Sequence, residues 1–164
     1  MRAIYFRYQD WVIGILGLLL IIDLRKLPWF SGSSETISAV VLTHPSSTGT
    51  ASPNGWVALL AAFATVLAIL DLVVERLAPE RRIPALGGSR ATTRYVLAVA
   101  AAVLLAVKFI LHVGRIGDRG VGFWLGAALA AAFVYCTASA RARAEEGPAR
   151  RYRARPADRK RTRS

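Results

Sequence analysis

The stretch WVALLAAFATVLAILDLVV, residues 56–74, runs for nineteen residues with one charged side chain, Asp71. At about 1.5 Å of rise per residue, a helix of that length covers close to the ~30 Å hydrocarbon core of a bilayer. Inside hydrocarbon every backbone polar group must find its partner within the segment, so the stretch is restricted to a helix. Two more blocks of this kind follow. One, at 95–113, carries Lys108 and His112, and the other, at 121–140, is uncharged and stops against Arg141.

An earlier block, WVIGILGLLLIID, has a shorter apolar core at 11–22 and can be extended toward Phe30. With Arg2 and Arg7 before it, this core is built like a secretory h-region. Asp23, Arg25 and Lys26 follow at once, however, and no convincing small-x-small cleavage site follows the block. The block is therefore expected to stay as an uncleaved first span, tilted or snorkelling at its ends.

The expected fold is an all-α membrane protein, a bundle of four transmembrane helices at about 11–30, 56–74, 95–113 and 121–140. These form one domain, 1–140, with an outer loop at 31–55 and a cytoplasmic loop at 75–94. Composition agrees: 54% hydrophobic residues coexist with a formal charge of +12, and the two are segregated along the chain. Soluble domains of this size rarely combine them. The ends and the 75–94 connection hold seventeen Lys and Arg, against four (Arg25, Lys26, Arg115, Arg119) on the other side. By the positive-inside rule both termini are expected in the cytoplasm.

In the outer loop ETISAVVLT, 35–43, is rich in β-branched residues and reads as a short strand. HPSSTGTASPNG reads as flexible loop. Trp29 with Phe30, Trp56 and Tyr95 are expected at the interface as aromatic anchors. The tail at 141–164 carries ten positive and three negative residues and is expected to be disordered.

Charge within the spans is where chemistry would reside. Asp23 lies twelve residues past Trp11 and Lys108 thirteen past Tyr95, which places both about 18–20 Å along their helices. An unpaired charge at that depth costs about 2.5–3.5 kcal/mol, so an Asp23–Lys108 ion pair is expected. The third helix carries Lys108, His112, Arg115 and Arg119 at i, i+4, i+7 and i+11, one polar stripe climbing toward the outer surface. Such a stripe could relay protons or hold an anion, or merely let Lys108 snorkel outward, and the structural role is preferred. Near the cytoplasmic face, Asp71 and Glu75 are expected to meet Arg7, Arg94 or Arg141. GFWLG places Gly122 and Gly126, with Ala130, on one small-residue face suited to helix packing.

The lone Cys136 excludes an intramolecular disulfide, and His44 and His112 are too distant in sequence to be a local metal pair. No phosphate loop, zinc-protease or nucleophile-elbow motif is present. No catalytic residue, metal or cofactor is expected. The basic tail, with Tyr152 its only aromatic, suits anionic lipid headgroups better than nucleic acid, which is not an expected partner.

The Ser/Thr-rich outer loop, the PNGW that opens the second span and the GFWLG that opens the fourth resemble the small four-span membrane proteins of actinobacteria. The resemblance extends over about residues 4–140. It implies a multi-pass cell-membrane location and supplies no catalytic residues. Small multidrug transporters also have four spans, but they carry a buried acid midway along the first helix, whereas Asp23 stands near its end. The expected role is a non-enzymatic accessory or scaffolding subunit contacting another membrane protein or a second copy of itself. The alternative is a small proton-coupled carrier using Asp23, Lys108 and His112.

Overall fold

The structure is a computed structural model that describes residues 8–30, 34–37, 40–43, 47–51, 54–78, 89–112 and 119–153. Four helices dominate it: α1 (Tyr8–Lys26), α2 (Gly55–Leu77), α3 (Arg90–Leu111) and α4 (Val121–Arg153). They close a ring in which α2 packs on α1 and α3, and α4 packs on α3 and α1.

The burial pattern inverts that of a soluble bundle. On α2 the inward positions are Val57, Ala58, Ala61, Ala64, Thr65, Ala68 and Leu72, spaced at the helical repeat. Leu59, Leu60, Phe63, Leu67 and Leu70 point away from the protein. On α3 Ala91, Ala98 and Ala101 face inward while Val103, Val107 and Ile110 face out. Small inward residues let helix backbones approach closely, and hydrocarbon accepts the large outward ones. Hydroxyls on the inner faces are satisfied within their own helices: Thr65 donates to the Ala61 carbonyl and Thr137 to that of Phe133, both at 2.9 Å.

Three helices, α2, α3 and α4, are long and apolar enough to cross a membrane. In α1, Asp10 stands in the first turn and Asp23, Arg25 and Lys26 crowd the last four positions. Its exposed face between them is nevertheless apolar, with Trp11, Ile15, Leu18, Leu19 and Ile22.

Helix ends depart from expectation. The first helix stops at Lys26, and Trp29 and Phe30, expected as interface anchors at its end, belong to a strand, β1 (Pro28–Phe30), with Trp29 fully buried. Trp56 is 60% exposed at the start of α2. Asn54 before it takes the left-handed conformation (φ 58°) that turns the chain into the helix, a conformation asparagine tolerates. The third helix begins at Arg90, where the Ser89 hydroxyl accepts from the Thr92 amide at 3.1 Å as its N-cap. It ends at Leu111, short of the expected Val113.

The fourth helix passes Ala140 and continues to Arg153, so residues 141–153 are helical and not part of a disordered tail. The cause is local: RARAEE is made of helix formers, and Arg141 bonds Glu145 at 2.7 Å one turn on. Residues 154–164 lie outside the described residues.

The connection between α1 and α2 is more ordered than a flexible loop. The expected short strand is an antiparallel hairpin, β2 (Ser34–Ile37) with β3 (Val40–Thr43), in register from Ser34↔Thr43 to Ile37↔Val40. The run read as flexible loop supplies β4 (Ser47–Thr48), which pairs antiparallel with β1. The Thr50 amide donates to the Leu24 carbonyl at 3.2 Å, and the Gly120 amide to that of Trp29 at 2.9 Å. These bonds lay a small β platform across one end of the bundle.

Candidate functional site

Trp29 is the centre of the platform end. Its indole enters a slot on α4 that Gly122 and Gly126 leave open. A Cβ added to Gly122 would stand 2.9 Å from Trp29 Cδ1, and one added to Gly126 would stand 2.8 Å from Cζ2 and 2.6 Å from Asp23 Oδ2. The small-residue face, with Ala130 buried below it, thus receives a side chain of the same chain. Phe109 and Phe123 pack on the indole with ring centroids 5.7 and 5.8 Å away.

This slot gives a measurable contrast among glycines. Gly126→Ala should destabilise the protein by about 1–3 kcal/mol, because the methyl group is forced against a buried ring and carboxylate. Gly14→Ala, where nothing lies within 4 Å, should be neutral or stabilise by up to about 1 kcal/mol through helix propensity. Thermal unfolding midpoints in detergent read both, and equal shifts would remove the slot.

Asp23 and Lys108 do come to the same place, each about 1% exposed, but not as an ion pair. Trp29 stands at the junction. Its Nε1 donates to Asp23 Oδ2 at 3.2 Å, while Lys108 Nζ lies over the indole face, 5.6 Å from the centroid. Lys108 donates to the Gly49 carbonyl in the turn after β4. The expected pair is replaced by an arrangement in which one indole takes a carboxylate at its edge and an ammonium on its electron-rich face. Asp23 Oδ1 is buried with no hydrogen-bond partner among the described residues.

The polar stripe does not exist as a helical feature. His112 is the C-cap of α3, and its Nδ1 lies 2.9 Å from the Lys108 carbonyl, one of the orphan acceptors at a helix end. The Phe30 ring covers it at 5.1 Å. Arg119 is beyond the helix, bridged to Phe30 as an isolated β pair with its guanidinium 4.1 Å above the Phe123 ring. Arg115 and His44 lie outside the described residues. Because α3 ends at Leu111 with His112 as its cap, it does not carry the 3.6-residue repeat on which the stripe depended.

The opposite end is held by charge. Arg94, buried on α3, meets two carboxylates of α2, with Nη2 2.5 Å from Glu75 and Nε 3.4 Å from Asp71. Arg76 at the end of α2 bonds Asp10 at the start of α1, a contact missed in the sequence because Asp10 precedes the apolar block. Arg141 lies over the Tyr95 ring at 5.3 Å and bonds Glu145, not Asp71 or Glu75. Arg7 lies outside the described residues. Each of the three helix-to-helix contacts spans elements adjacent in the ring, so charge fastens this end as aromatic packing fastens the other.

Among the described residues no three His, Cys, Asp or Glu side chains group as metal ligands would. Cys136 is a half-buried free thiol on α4. No family model, curated protein or solved structure matches the chain.

Proposed function

We propose that the chain is a four-span integral protein of the cell membrane, with both termini cytoplasmic, acting without catalysis as an accessory or scaffolding subunit. The observation that carries this reading is the use made of Lys108: its ammonium is spent on the Gly49 carbonyl and the Trp29 face, fastening the β platform to the bundle. Charge placed in an apolar segment is the first candidate for function, and its partner decides between a pathway and a fastening role. Here it faces a loop. The β2–β3 hairpin lies in the sequence between β1 and β4, the two strands of that platform, and is the segment we assign to contact with another membrane protein.

The fourth span is α1. Its outward apolar face, from Trp11 to Ile22, matches the lipid-facing sides of the other three, and its end charges are either paired, as Asp10 is with Arg76, or at the snorkelling end. The seventeen-to-four asymmetry of Lys and Arg supports cytoplasmic termini. Purification in a mild detergent should bring down a stoichiometric membrane partner. A homogeneous single chain under the same conditions counts against the accessory role.

A carrier is the second reading, favoured by the unpartnered Asp23 Oδ1. It requires that Asp23→Asn abolish proton flux into liposomes containing the protein. Equal flux with wild type and variant removes it.

A further inference from the structure

Two cavities of about 330 Å³ adjoin the charged end of the bundle, and both are lined by Gln9 and Arg143. That size is within the roughly 300–1,000 Å³ of small-ligand pockets. The first lies where α1, α2, α3 and α4 converge, and its charged lining is Arg76, Arg90, Arg94, Arg143, Asp10 and Glu75. Four guanidinium groups against Asp10, Glu75 and, behind Arg94, Asp71 leave one net positive charge at its wall. Arg76 Nε is buried there without a hydrogen-bond acceptor among the described residues. The second cavity is a groove between α1 and α4, bordered by Tyr8, Val12, Tyr135 and Cys136. Its two tyrosines are 84% and 74% exposed, aromatic rails on either side of an outward-facing channel.

From this juxtaposition we infer a binding site for one anionic phospholipid, its phosphate in the arginine-walled cavity and an acyl chain along the α1–α4 groove. The inference rests on membrane placement of the helices, and not on the accessory role. Guanidinium groups match phosphate oxygens in planar, charge-assisted hydrogen bonds, and net positive charge selects an anionic head over a zwitterionic one. A free phosphate shares the head chemistry, but it would leave the adjoining groove unused. The groove lies alongside helices whose outer faces are already in lipid, so a chain can occupy it without leaving hydrocarbon.

The test uses the full chain in a neutral detergent, offered phosphatidylglycerol, phosphatidylcholine or inorganic phosphate in turn. Native mass spectrometry should show one phosphatidylglycerol retained per chain, at least tenfold above phosphatidylcholine, and only phosphatidylglycerol should raise the unfolding midpoint. Arg90→Gln with Arg143→Gln should lower that retention about tenfold. The charge-matched pair Arg150→Gln with Arg151→Gln should leave it unchanged, with elution and circular dichroism confirming that both variants fold. Equal loss from the two pairs would reveal diffuse attraction to the basic segment and overturn the site. Phosphate stabilising as well as the lipid would overturn the lipid assignment, and equal retention of phosphatidylcholine would overturn the role of the arginines. A chain that retains phosphatidylglycerol but purifies without a partner would uphold this site while the accessory role fails.

Discussion

Trp29→Ala should release the β platform and destabilise the protein by about 4 kcal/mol, the usual scale for emptying a buried tryptophan site. The loss is compound. The slot between Gly122 and Gly126 is left void, Asp23 loses the indole N–H that donates to it, and Lys108 loses the ring beneath it. Trp29→Phe separates the parts, because it keeps an aromatic ring and removes the indole N–H. Its cost should be about 1–3 kcal/mol, that of a buried acceptor left unmet. Denaturant titration in micelles, followed by near-ultraviolet circular dichroism, measures both. An alanine variant within about 1 kcal/mol of wild type would refute the central place given to this side chain.

Arg94→Ala should cost about 3 kcal/mol, since it removes the guanidinium that bridges Asp71 and Glu75 at the seam of α2 and α3 and leaves Asp71 only the weaker attraction of Arg90. Arg94→Lys should fall between, because an ammonium cannot reach two carboxylates as a planar fork does. Neutralising the partners in the same chain, with Asp71→Asn and Glu75→Gln added to Arg94→Ala, should recover much of the loss. The decisive comparison is between the single and the triple variant. If the triple variant is as unstable as Arg94→Ala alone, the deficit comes from lost packing and not from stranded charge.

The helices were legible because a run of about twenty apolar residues admits almost no other structure in a membrane. Their ends were not, for different reasons in each case. Trp29 and Phe30 have the composition of interfacial anchors, and nothing local shows that glycines more than ninety residues later make room for the indole. Counting residues along each helix brought Asp23 and Lys108 to one level correctly, but depth carries no information about what stands between them. The stripe through Arg119 failed because a 3.6-residue repeat was continued past Leu111, where the helix has already ended at His112. Arg94 with Asp71 and Glu75 was within reach, since charges at the facing ends of consecutive antiparallel helices are brought together by the hairpin itself. Asp10 with Arg76 depends on how the first and second helices pack, which the spacing of apolar residues in α1 hardly encodes.

The glycine slot also bears on the order in which the protein is made. Synthesis proceeds from the amino end, so Trp29 emerges when the helix that will receive it has not yet been translated. Gly49 is likewise in place before Lys108 arrives, so the lysine meets its acceptor as soon as the third helix enters. The tryptophan must wait for the fourth. Closure of the platform is therefore coupled to completion of the chain: a nascent protein stalled before Gly122 holds a buried-type indole and a carboxylate with no place to put the ring, and would present to quality control a surface that the finished molecule conceals.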